Sequence, residues 1–129
     1  VSKKKHVLNT VFGPYSSVIQ AKDLFFISGQ IPVDKKTGAI PKYISDQTTL
    51  ALQNINLILH ENHLSIRNIV KITIFTTKMD ELKEINLSYQ KFFNKYTNQY
   101  PARSCIGISE LPQKVSIEIE AIASILYKK

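Results

Sequence analysis

A chain of 129 residues with 43% hydrophobic and 21% charged side chains is long enough for one ordinary core and too apolar to be disordered. No apolar run nears the roughly 20 residues needed to cross a bilayer, which excludes a helical membrane protein. The single cysteine, Cys105, cannot form an internal disulfide and fits a reducing intracellular setting.

The net charge of +7 favours weak, salt-sensitive phosphate contacts, but the lysines are spread along the chain. They cluster only at Lys3–Lys5 and Lys128–Lys129, and no RNA-recognition signature, Gly-rich basic tract or zinc knuckle accompanies them. His60 and His63 share one helix face by spacing, yet no carboxylate or cysteine completes a ligand pattern, so no metal is expected. The start, Val1-Ser2-Lys3-Lys4-Lys5-His6, precedes no apolar segment that reads as a signal peptide, so the expected setting is cytoplasmic. The absence of an initiator Met leaves room for a trimmed organellar targeting sequence.

In chain order, Lys4 to Thr10 reads as a modest strand, followed by the turn cluster Phe12-Gly13-Pro14-Tyr15. Ser17 to Ala21 and Leu24 to Ser28 read as two strands joined through Lys22-Asp23 as a two-residue hairpin. Gly29-Gln30-Ile31-Pro32 is expected to break the regular structure, and Val33 to Lys42 to form a loop. Ser45-Asp46 starts a helix whose stripe is Ala51, Leu52, Ile55, Ile58 and Leu59, ending near Asn62-His63. Ile69 to Thr77 is the clearest strand, with Val70, Ile72 and Ile74 facing away from Lys71, Thr73 and Phe75. A second helix runs from about Asp80 to Lys95 along Leu82, Ile85, Tyr89, Phe92 and Phe93.

Tyr100 to Ala123 holds two further strand patterns, expected to pair as a closing hairpin across Leu111 to Lys114. Alternation puts Arg103, Cys105 and Gly107 on one face of the first, and Ser116, Glu118 and Glu120 on one face of the second. Paired as a hairpin, an arginine, a thiol and two carboxylates would share one side of a sheet. That side reads equally as a solvated face, with Arg103 paired to a glutamate, or as a pocket holding a carboxylate and a water. Two amphipathic helices cover only one face of such a sheet, and the other is too apolar to be simply wet. An oligomer packing these faces together resolves the conflict. No repeat or composition break divides residues 1–129, so one domain is expected.

Several separate stretches resemble the Rid family of reactive intermediate deaminases, also called the YjgF family. They are Gly13-Pro14-Tyr15, Ser28-Gly29-Gln30-Ile31-Pro32, Val70-Lys71, Asn86 ahead of Tyr89 and Phe92-Phe93, Pro101-Ala102-Arg103-Ser104, Leu111-Pro112 and Glu118-Ile119-Glu120-Ala121. The resemblance implies a chorismate-mutase-like α/β (α+β) domain, a mixed sheet with two helices on one face. It also implies a homotrimer whose sheets form a central barrel, with sites between subunits. The implied activity is hydrolysis of enamine/imine intermediates such as 2-aminoacrylate to 2-keto acids and ammonia, with no metal or organic cofactor.

By the same resemblance, Arg103 grips the substrate carboxylate and Glu118 positions the water. Arginine suits the first task because its planar fork matches a carboxylate and stays charged. Tyr15, Ser28, Gly29, Asn86 and Cys105 line the pocket, Gly29 by allowing close backbone approach. Glu120 has the same parity as Glu118, so alternation alone does not choose between them. Cys105, with no histidine beside it in sequence, reads as a packed wall residue rather than a nucleophile. The chain departs from the family at Ser16-Ser17, where Gln is common after Gly-Pro-Tyr, and at His63, where Gly commonly ends the first helix. The competing functions are a non-catalytic binder of small carboxylates and an RNA-directed ribonuclease or translation inhibitor.

Overall fold

The computed structural model describes residues 13–128, so the strand expected over Lys4 to Thr10 lies outside the described residues. Two short strands, β1 (Val18–Ala21) and β2 (Leu24–Gln30), pair antiparallel through the Lys22-Asp23 turn, where Lys22 takes a left-handed φ of 56°. The strand does not stop at Ser28, as its glycine suggests. Ile27 pairs with Ala121 and Gln30 with Ile119, so Ser28 and Gly29 together oppose the single residue Glu120. This two-against-one arrangement is a β-bulge, and it lets the strand absorb glycine without ending.

The first helix, α1 (Ile44–Glu61), buries Ala51, Leu52, Ile55, Ile58 and Leu59, the stripe that its 3.6-residue period marks. It ends in a six-to-one turn: Leu64 N donates to Leu59 O at 2.8 Å and His63 N to His60 O at 3.1 Å. His63 occupies the left-handed position at φ 60°. A side chain there costs on the order of 1 kcal/mol relative to glycine. His63→Gly is therefore expected to raise the melting temperature by a few degrees without altering activity, measured by thermal denaturation.

β3 (Ile69–Thr76) follows, then α2 (Leu82–Asn94), β4 (Ala102–Gly107) and β5 (Ile117–Ser124). Ile72, Ile74 and Thr76 are buried, but Val70 falls in a register shift between Ile69 and Lys71 and so leaves the row it seemed to head in sequence. α2 buries Ile85, Ser88, Tyr89, Phe92 and Phe93, with Leu82 only half-buried at its start.

The five strands form one mixed sheet in the order β1-β2-β5-β3-β4. The expected closing hairpin is therefore wrong. β4 runs parallel to β3 at the sheet edge, and β5 lies antiparallel between β2 and β3. The core forms on one side only, where Phe25, Ile27, Ile72, Ile74, Ile117 and Ile119 meet the stripes of the two helices.

Strand parity then overturns the shared face. Arg103 and Cys105 lie beside Ile72 and Ile74, on the helix side, whereas Glu118 and Glu120 lie beside Phe75 and Thr73, on the open side. The internal parity of each strand is as expected from sequence; the relation between the strands is reversed. A hairpin would join neighbouring faces directly, but with β3 inserted the relation is set by two separate registers.

Candidate active site

On the helix side, Arg103 projects from edge strand β4 toward α2. Its Nη2 donates to Asn86 Oδ1 at 2.8 Å, and its Cζ lies 4.9 Å from the centre of the Tyr89 ring. The ring face attracts the cation and supports its plane. A guanidinium carries five N–H donors, and the bond to Asn86 engages only one of its two Nη groups. A cleft of about 240 Å³ opens here, lined by Asn86, Tyr89, Gln90, Tyr100, Pro101 and Arg103. Tyr100 is fixed as a wall: its hydroxyl donates to Asn94 Oδ1 at 3.0 Å, and its ring lies 6.3 Å from that of Tyr89. This half of the site presents an anchored fork to anything carrying a carboxylate.

On the open side, Glu118 is half-buried beside the bulge of β2. A methyl group on Gly29 would overlap Glu118 Oε2 and lie 2.8 Å from its Cδ, so glycine makes the space that the carboxylate occupies. Ser28 Oγ donates to Ser16 O at 2.6 Å and Ser28 N to Ser17 O at 2.9 Å, which ties the exposed Tyr15 segment alongside the bulge. Burial pushes the Glu118 carboxyl above its ordinary range, and the nearby Glu120 charge pushes it further in the same direction. A raised carboxylate is a stronger base when ionised.

Gly29→Ala is expected to fold but to displace the Glu118 carboxylate. If Glu118 acts in turnover, kcat falls about a hundredfold, since misplacements of this size cost that much. Steady-state kinetics on a variant with a native melting curve checks this.

Cys105 is half-buried on the helix side and packs against the core. Burial pushes its thiol up, and the Arg103 charge only partly offsets this, so it stays protonated at neutral pH. Among the described residues no group of three or more His, Cys, Asp or Glu is placed to hold a metal ion, and no helix is long and apolar enough to cross a membrane.

The site residues marked in sequence thus form two groups rather than one. Arg103, Asn86 and Cys105 stand on the helix side; Tyr15, Ser28, Gly29 and Glu118 stand on or beside the open side. Within one chain, two strand spacings of roughly 5 Å each and the thickness of the sheet separate Arg103 from Glu118. The sequence reading missed Tyr89 as the shelf beneath Arg103 and Tyr100 as a cleft wall. A tyrosine three residues after Asn86, in a stripe otherwise of Ile and Phe, was the available signal.

A mixed five-stranded sheet with both helices on one face, and an arginine and a glutamate presented on opposite faces, defines a small α+β domain. Residues 7–125 match the profile of the endoribonuclease L-PSP family. The RutC family protein of Buchnera aphidicola subsp. Schizaphis graminum is 46% identical over 111 residues, covering 86% of this chain and 87% of its own. The 2-iminobutanoate/2-iminopropanoate deaminase of Salmonella typhimurium is 40% identical over 111 residues, with the same coverage of 86% and 87%. The crystal structure of Escherichia coli TdcF with bound serine matches with a TM-score of 0.88 at 38% identity, over 95% of this chain and 98% of that one. The YjgF gene product of Escherichia coli matches with a TM-score of 0.89 at 35% identity, over 96% and 99%. The chain belongs to this family, the YjgF/Rid family.

Proposed function

We propose that this chain is an enamine/imine deaminase that hydrolyses 2-imino acids of the 2-aminoacrylate/2-iminopropanoate type to 2-keto acids and ammonia. The observation that carries the reading is the guanidinium of Arg103, held by Asn86 and Tyr89 at the mouth of a small cleft. A relative named for this activity supports it, as does serine bound to TdcF, a small molecule that also carries a carboxylate. These favour hydrolysis over a carboxylate-binding or RNA-directed role. A cytoplasmic setting belongs to the same proposal.

The separation of Arg103 from Glu118 points to sites completed by a second copy. The open face keeps Ile19 55%, Phe26 41% and Ile106 44% exposed, with no helix of the described residues over it. Such a face needs cover. A homotrimer with the open faces turned inward as a barrel supplies it and brings Arg103 of one copy to Glu118 of the next.

In that site Arg103 binds the substrate carboxylate and fixes the orientation of the C=N carbon. Glu118 takes a proton from water as its oxygen adds to that carbon of the protonated imine, giving a carbinolamine. Glu118 returns the proton to nitrogen and then takes the hydroxyl proton as the C–N bond breaks, so that ammonia leaves and the keto-acid carbonyl forms. The enamine form reaches this path after protonation at carbon to the imine. Every step uses water and protein groups alone.

The test is keto-acid and ammonia release from enzymatically generated 2-aminoacrylate against a buffer blank. Acceleration over the blank is the expected result. Saturable binding of a small carboxylate with no acceleration would replace the hydrolase by a binding protein.

A further inference from the structure

We propose that Gln30 is a positioning residue for this site: held by Lys35, it forms an internal strut to the Ser28 carbonyl and so holds the bulge that receives Glu118. The inference rests on the hydrolase reading only for its kinetic arm.

β1 begins at Val18, opposite Ile27, and Ser28 N makes the last bond toward that side, to Ser17 O. Where β1 stops, the Ser28 carbonyl needs another donor. Gln30 provides it, its Nε2 donating to Ser28 O at 3.0 Å. Gln30 is 7% exposed and lies on the core side, between positions occupied by Ile27 and Ile119, so it reaches the site only through the backbone. A polar side chain in such a position is retained for the bonds it makes.

An amide can present either end, and a cation decides which. Lys35 Nζ donates to Gln30 Oε1 at 3.5 Å, which directs Nε2 to Ser28. Lys35 is itself half-buried; desolvation lowers its pKa and the negative Glu61 opposes that shift. Glu61 lies in the last turn of α1, and its Oε1 is enclosed without a hydrogen-bond partner. The strut thus runs from the loop after β2 to the bulge.

The bulge in turn sets how closely Gly29 covers Glu118. Loosening it admits water to the carboxylate and lowers its titration midpoint toward the ordinary range. Among the described residues, the charged groups on the strands of that face are Glu120 on the same strand and Lys71 on β3; β2 contributes Ser28 and Gly29, neither charged.

Three variants test the strut. Gln30→Glu keeps the acceptor for Lys35 but sets a second acceptor against Ser28 O; Lys35→Met removes the cation; Lys35→Arg restores it. The readouts are the Glu118 midpoint, by carbon-13 carboxyl NMR on the assembled protein, and the pH profile of kcat. Gln30→Glu is expected to lower the midpoint and to cut kcat about tenfold with KM little changed. Lys35→Met should do the same to a smaller extent, and Lys35→Arg should match the wild type. A wild-type midpoint and kcat in folded Gln30→Glu would overturn the proposal. If that variant does not fold, a wild-type midpoint in Lys35→Met overturns it instead. A wild type without turnover defeats the hydrolase reading and leaves the NMR arm decisive for the strut.

Discussion

Arg103→Ala is expected to lower kcat/KM for 2-aminoacrylate hydrolysis by about ten- to a hundredfold from the lost charge-assisted contact alone. The loss grows further because the C=N carbon is no longer held in one orientation. Arg103→Lys should recover little, since an ammonium restores the charge but not the planar fork that Asn86 and Tyr89 hold. The separation of Arg103 and Glu118 onto opposite faces makes a sharper version possible. Arg103→Ala and Glu118→Gln proteins, each strongly impaired alone, should regain activity when unfolded and refolded together. In a randomly mixed cyclic trimer, one site in three is intact in every mixed assembly, so about a quarter of wild-type activity returns. Recovery of none, with mixed trimers confirmed by mass spectrometry, would place both groups' work within a single chain and defeat the intersubunit site.

Glu118→Gln is expected to lower kcat by about 10²–10⁴, the usual contribution of a general base, while making the folded protein more stable at neutral pH. The second effect follows from the sign of the shift. The folded-state pKa of Glu118 is raised by burial and by Glu120, so the folded chain binds the proton more tightly than the unfolded one. Stability falls as pH rises from the ordinary carboxylate range through the raised value, and the full penalty is present above it. Glutamine removes the penalty, so the melting temperature at pH 7 should rise and the difference should shrink as pH falls. The wild-type kcat should decline on the acid side through the same raised value, as the base becomes protonated. Glu120→Gln should move that limb to lower pH, because it removes the second cause of the shift. A melting temperature that falls in Glu118→Gln would show a structural role for the carboxylate and sink its assignment as a strained base.

The helices were legible because each buries one stripe. Ala51 to Leu59 and Ile85 to Phe93 have no competing apolar face, so the period alone placed them. β5 was legible for the same reason, its Ile and Ala residues alternating with Glu118 and Glu120. β4 was not. It is an edge strand, and neither row of its side chains is fully buried, so Ala102 and Ile106 looked as suited to the core as Cys105 did. Arg103 reaches the helix side because its charged end is supported on Tyr89 beside an open cleft, where a long side chain can be apolar along its stem and polar at its tip. Sequence adjacency suggested that β4 and β5 pair; the insertion of β3 between them is a tertiary choice that no local pattern in either strand records. The bulge was hidden for a related reason. Gly29 reads as a strand breaker until the carboxylate that fills its missing side chain is known.

If Arg103 and Glu118 work together across copies, as proposed, activity depends on dosage. A catalyst whose two halves never meet within one chain is silent when freshly synthesised and alone. Its output rises more steeply than its copy number until neighbours are plentiful, and only then in proportion. Dilution therefore switches such a protein off without any inhibitor, and a cell making too few copies holds the polypeptide without the reaction.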